Sequence, residues 1–221
     1  MTRFSRRLRN AQTQGAASGI TEGPATPQRP EVVKQHFMAA LAQFKAGRYE
    51  DAVASFAAVE AESPPALTTY RVLAKARRAG ALFALNRWSD ALVLLDELVA
   101  DKESLAKINR ERFPDEVATI YSARAGCLEM LQRWPEAREC VTDLIEEVQD
   151  GNTPTQRFYL ADAYLLRAKA AVARRDFSTA FAAIDASLAQ CASGNDDQTT
   201  KVRRQAEELY ESLKARVRTI D

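Results

Sequence analysis

The chain has 221 residues, 46% of them hydrophobic, which is enough for one domain of ordinary size with a continuous core. Its formal charge of +1 is unevenly placed: residues 1–30 carry five arginines against Glu22, a net +4, and leave −3 for residues 31–221. That excludes polyanion binding by bulk charge for the body of the chain, and no apolar run approaches the ~18 residues of a bilayer span or forms a secretory signal core.

Residues 1–30 are poor in apolar residues, rich in Gly, Ser, Thr and Pro, and free of acids before Glu22. Such an arm cannot build a core of its own. Its composition leaves three readings open. It is a tail, or a basic anchor in which Arg3, Arg6, Arg7 and Arg9 meet an acidic protein, nucleic acid or anionic lipid, or a mitochondrial transit peptide. Cys127, Cys140 and Cys191 lie within helical pattern without metal-like spacing, which suggests a reducing compartment. An intracellular location is expected, mitochondrial or cytoplasmic.

Pro30 opens a first helix, a place proline suits, and the pattern runs to about residue 46. It pairs with a helix over 48–62 that ends at Ser63-Pro64-Pro65. The second pair spans 66–85 and 88–100, and the long connection after it holds a short extra helix with Leu105 and Ile108 inward. Phe113-Pro114-Asp115 starts the third pair, 116–131 and 134–149, and Gly151-Asn152-Thr153-Pro154 is a break with a capped start. The fourth pair spans 155–174 and 177–190. A last helix over 199–219 carries Val202, Ala206, Leu209, Leu213 and Val217 on one stripe, which suits a cap over an open end.

The pairs repeat one another. RAGCLEMLQRWPEA, residues 124–137, matches RAGALFALNRWSDA, residues 78–91, at eight of fourteen positions, and the same frame fits 39–52 and 167–180. Each copy has an aromatic (Tyr49, Trp88, Trp134, Phe177) followed three residues on by alanine (Ala52, Ala91, Ala137, Ala180). Ahead of it stands a small residue on the first helix (Ala40, Ala79, Ala125, Ala168). Behind it, apolar residues at spacings of three and four form one face of the second helix. Small residues let the two helices approach closely, the aromatic fills the wedge at the turn, and neighbouring pairs must stack to bury their faces. Trp88 and Trp134 occupy equivalent places and are expected to be equally buried.

These residues resemble the tetratricopeptide repeat family, best in AALAQFKAGRYEDAVASF and IYSARAGCLEMLQRWPEA. The spacings of 39, 46 and 43 residues between the aromatics exceed the family's usual ~34. The family's glycine two residues before the aromatic stands only as Gly47, with Asn86, Gln132 and Arg175 in the other copies. The resemblance implies an all-α, right-handed α-α superhelical solenoid of about four helix pairs. The expected organisation is a basic arm (1–30), a repeat domain (31–192) and a C-terminal capping helix (193–221).

The resemblance also implies that the first helices line a concave surface. The residues expected there to bind a partner's peptide or helix are Lys34, Phe37, Leu41 and Phe44, then Arg77 and Phe83, then Ser122 and Glu129, then Lys169. The lysine and asparagine clamp with which cochaperones of this family hold an acidic tail is absent. Phe37 and Leu41 stand where Lys and Asn would be expected, Ala123 replaces another Asn, and Asp162 and Leu166 stand where a basic pair could have been. Arg78, Arg124 and Arg167 recur in register before the small residue. They form either a ladder toward an acidic ligand or intramolecular pairs with Asp96, Asp143 and Asp185.

No catalytic arrangement stands out. The single histidine, His36, reads as a packing or groove-lining residue, and no Gly-rich phosphate loop or metal-ligand spacing occurs. The expected function is a non-enzymatic protein-interaction scaffold without cofactor or metal, a subunit or assembly factor of a larger complex. The alternative is a peptide-binding cochaperone or targeting receptor lacking the clamp.

Overall fold

The computed structural model describes residues 30–110, 114–148, 153–192, 194 and 196–218. The basic arm with Arg3, Arg6, Arg7 and Arg9, and the expected breaks at Phe113, Gly151-Asn152, Ser193 and Asn195, lie outside the described residues. Among the described residues there are ten α-helices and no strand: α1 (Pro30–Lys45), α2 (Tyr49–Glu62), α3 (Thr68–Ala84), α4 (Trp88–Ala100), α5 (Lys102–Arg110), α6 (Pro114–Met130), α7 (Trp134–Val148), α8 (Pro154–Ala173), α9 (Phe177–Cys191) and α10 (Asp197–Arg218). A single 3-10 turn, Pro65–Leu67, precedes α3.

Each hairpin closes by one local device. Gly47, Asn86, Gln132 and Arg175 all have positive φ, at 74°, 60°, 57° and 60°. At each, the residue's own N–H donates to the carbonyl three back, as Gln132 does to Glu129 at 2.9 Å. The next N–H donates to the carbonyl five back, as Arg133 does to Leu128 at 2.9 Å. This left-handed C-terminal cap satisfies carbonyls that the helix end would otherwise strand, and it turns the chain so that the aromatic two residues on begins the second helix. α8 has the complementary device at its start: Thr153 Oγ1 accepts from Gln156 N–H at 3.1 Å, and the Gln156 side chain accepts from Thr153 N–H at 3.2 Å.

The small residues lie where helices meet. Ala40, Ala79, Ala125 and Ala168 on the first helices and Ala52, Ala91, Ala137 and Ala180 on the second are all buried, as are Phe56, Leu95, Val141 and Ile184 one turn further along. A cavity-free meeting of backbones through alanine, with larger residues either side, is how two helices pack at short distance. Ser187, in the register where the other copies carry Val59, Leu98 and Leu144, is fully buried, and its hydroxyl donates to the Ala161 carbonyl at 2.7 Å. The two tryptophans are not equivalent. Both are half-buried, but among the described residues Trp134 packs against the central cluster, of which Trp88 is not a member.

Contacts between elements define two layers. α1, α3, α6, α8 and α10 each touch the next in the row, whereas α2, α4, α7 and α9 pack chiefly on the flanking members of that row. When stacked hairpins curve, the helices that approach each other lie on the inner side, so α1, α3, α6, α8 and α10 line the concave face. α5 is outside the repeat. Its buried Ser104, Leu105 and Ile108 dock it against α3, α4 and α6, and this insertion accounts for the longest interval between repeats. α10 covers α8 and α9 with Val202, Ala206 and Leu213.

Candidate interaction surface

The residues expected on the concave face are all on inner helices, and most of them are joined to the next inner helix. A methyl group on Gly80 would stand 3.7 Å from the Phe44 ring, and one on Gly126 would stand 3.5 Å from the Phe83 ring. Each phenylalanine therefore lies across the flat glycine surface of the following repeat. Phe44 also meets Tyr49 edge-on at 5.5 Å between ring centres. Phe37 is buried, with its ring 5.8 Å from Phe56 and 5.7 Å from Tyr70, and Leu41 is half-buried beside it. The aromatic anchors expected to stand open are thus largely committed to stacking the repeats.

Polar residues make the same connection further along. Arg77 Nη2 donates to Glu116 Oε2 at 2.7 Å, and Lys169 Nζ donates to Glu129 Oε1 at 2.7 Å. Ser122 Oγ donates to Asp162 Oδ2 at 3.2 Å, and the Thr119 and Tyr159 hydroxyls share a 2.7 Å hydrogen bond. All four links join residues 39 or 40 apart on successive inner helices. The middle of the concave face is therefore a preformed polar surface whose groups are largely satisfied within the protein. Two carboxyls in it are perturbed. Burial raises Glu116, only partly countered by Arg77, and its Oε1 has no hydrogen-bond partner among the described residues. Burial also raises Asp162, against the opposing effects of Ser122 and Lys169.

At the N-terminal end of the face the surface opens into a cavity of about 450 Å³. Lys34, Phe37 and Met38 of α1, Ala66 and Leu67 of the 3-10 turn, Thr69, Tyr70 and Leu73 of α3, and Lys107 of α5 line it. Lys34 and Phe37 were legible as groove residues, but Met38, Tyr70 and Lys107 were not. Lys107 reaches the cavity only because α5 folds back on α3, and the repeat pattern has no position for that helix.

The recurrent arginines point elsewhere. Arg78 Nη1 donates to Glu60 at 3.1 Å and Arg124 Nε to Asp96 at 2.7 Å, so each reaches the outer helix of the preceding pair. Arg167 is exposed and lines a separate cleft with Ser178 and Thr179. The expected pairs Arg78–Asp96, Arg124–Asp143 and Arg167–Asp185 do not form, since an inner helix packs against the outer helix before it as well as the one after. His36 hydrogen-bonds through Nδ1 to Glu62 of α2 at 2.7 Å, on the rim between the first two helices. The three cysteines are buried; burial lifts all three thiols, Cys127 to about 12, and the Cys140 thiol donates to the Tyr121 carbonyl. Among the described residues no group of three His, Cys, Asp or Glu could hold a metal ion, and no helix is long and apolar enough to cross a membrane.

No family model matches the chain, and no curated protein does. Solved structures do match. A candidate kinesin light chain of Podosopora anserina with nearly identical TPR-like repeats is 17% identical, with a TM-score of 0.56 over 85% of this chain and 96% of that one. BtubC of P. vanneervenii is 16% identical, with a TM-score of 0.57 over 86% of this chain and 81% of that one. With the repeated hairpins, left-handed caps and inner helix row already described, these likenesses show a tetratricopeptide-like helical-repeat fold.

Proposed function

We propose that this chain is a non-enzymatic interaction scaffold, a subunit or assembly factor of a multiprotein complex, that holds a partner's peptide or helix on its concave face. The observation that carries this reading is the construction of that face. Its polar groups are bonded to one another across successive inner helices, so the surface is rigid before any partner arrives, and it ends in an open apolar cavity. A preorganised surface binds with little ordering cost, which suits recognition. The basic arm is a second contact in this proposal, docking the scaffold to an acidic surface through Arg3, Arg6, Arg7 and Arg9.

Photo-crosslinking tests the face. A benzophenone side chain at Met38, Ser122 or Lys169 on inner helices is expected to capture one partner protein in cells. The same group at the exposed Val93, Glu139 or Ala182 on α4, α7 and α9 is expected to capture none in common. Capture confined to the outer positions overturns the reading.

A further inference from the structure

The cavity at the N-terminal end of the inner face lies where the arm enters the fold. Lys34 and Met38 line it about one and two turns past Pro30, and Leu67, Tyr70 and Leu73 line it from α3 and the turn before it. Met38 is 53% exposed, and apolar surface left open in a concavity marks a contact site more often than it marks packing. The arm itself divides in two. Arg3, Arg6, Arg7 and Arg9 all stand in its first nine residues, whereas residues 10–29 balance Glu22 against Arg29 and carry no net charge. That neutral half holds one large apolar side chain, Ile20, and then Pro24 and Pro27, spaced three residues apart in step with Pro30. We infer that this cavity is the docking site of the chain's own arm, with Ile20 in the cavity and Pro24 and Pro27 laid across its Met38 and Tyr70 wall.

Tether length and side-chain chemistry choose this occupant. Ile20 stands ten residues before Pro30, an extended reach of roughly 33 Å, and Met38 lies about 12 Å along α1 from Pro30. The segment can therefore turn back to the cavity with slack, and so short a tether holds it there at roughly millimolar effective concentration. Prolines three apart share one face of a polyproline II strand, the form that packs on aromatic-lined grooves at little entropic cost. Phe37 and Tyr70, with ring centres 5.7 Å apart, give the cavity its aromatic side. Its volume of about 450 Å³ holds the isoleucine side chain with a proline ring beside it. A neutral segment also approaches Lys34 without repulsion, and it leaves the arginine cluster, eleven or more residues further out than Ile20, free for another surface. The inference goes beyond the scaffold reading and does not rest on it: a partner that reaches this end of the inner face displaces the arm.

The test uses the purified full chain with a benzophenone side chain in place of Met38. Its crosslinks, mapped by peptide mass, are expected to reach residues 18–28 of the same molecule, which mixing isotope-labelled with unlabelled chains verifies. Ile20→Asp should cut that yield roughly threefold or more, and serine at Arg3, Arg6, Arg7 and Arg9 should not. A glutamate-specific protease gives the second readout, because Glu22 lies inside the docked segment and its own sequence is unchanged in cavity variants. Ala66→Trp, which fills the cavity from an exposed position, and Met38→Asp should each speed cleavage after Glu22 roughly threefold or more. Met130→Asp, exposed elsewhere, should not. Thermal melts of each variant show that the fold is intact. Cleavage at the parent rate in both cavity variants, or crosslinks that miss residues 10–29, overturns the inference. Crosslinks between labelled and unlabelled chains overturn it in favour of a second copy. The scaffold reading is tested separately at Ser122 and Lys169, so the two stand or fall apart.

Discussion

Replacing Gln132 by glycine should stabilise this protein, although it deletes a side chain. Gln132 is held at φ 57° because the α6–α7 hairpin needs a left-handed residue there to bring Arg133 N–H onto the Leu128 carbonyl. An L-residue with a Cβ pays about 1–2 kcal/mol for that conformation, and glycine does not. The extra unfolded-state freedom of glycine returns part of this, leaving about 1 kcal/mol, or a rise of roughly 2–4 °C in Tm for a chain of this length. Arg175→Gly at φ 60° should gain about as much, and Asn86→Gly less, since asparagine tolerates the region better. Gly47→Ala supplies the reciprocal control. A Cβ there would meet nothing within 4 Å, so any loss measures backbone conformation alone, and about 1 kcal/mol is expected. Urea unfolding followed by circular dichroism reads these differences, provided the slope m is unchanged between variants. A neutral or destabilising Gln132→Gly, or a neutral Gly47→Ala, would refute the argument.

Three further outcomes follow from the packing. Trp134→Ala should cost roughly 2–4 kcal/mol and Trp88→Ala somewhat less, roughly 1–3, by the same urea assay, because both rings are partly buried and Trp134 also packs on the central cluster; a larger loss at Trp88 would contradict that order. Gly126→Ala should be neutral or stabilising by up to about 1 kcal/mol, since its methyl would meet the Phe83 ring at an ordinary 3.5 Å while alanine is the better helix former. Glu116→Gln should change the pH dependence of stability. The raised folded pKa of Glu116 means its contribution is fully present below the ordinary value of 4.5 and is lost as pH rises through the folded value. Asp162 acts in the same direction. In urea unfolding, the glutamine variant should therefore lose less stability than the parent, or gain more, as pH rises from below 4.5 to 7, and an unchanged pH dependence would refute the assignment.

The hairpins were legible because their determinants are local. The left-handed cap, the aromatic that opens the second helix and the alanine three residues on all lie within six residues, as in Gly47, Tyr49 and Ala52. The inner placement of the first helices was expected from the resemblance to the tetratricopeptide family, not from the residues of any one hairpin. Three things were not legible, and each depends on contacts between repeats. Arg78 and Arg124 were weighed against acids in their own hairpins, yet superhelical stacking places Glu60 and Asp96 of the preceding outer helix closer. Phe44 and Phe83 looked like open anchors because a single chain reading cannot show that Gly80 and Gly126 of the next repeat lie beneath their rings. The pocket beside Lys107 depends on how α5 folds back, which no repeat register encodes.

Hydrogen exchange of the chain alone and within its native complex tests the central claim most directly. The account predicts that assembly adds protection along the inner helices, greatest at α1, α3 and the neighbouring α5, with α2, α4, α7 and α9 unchanged. New protection confined to α4, α7 and α9 would contradict it.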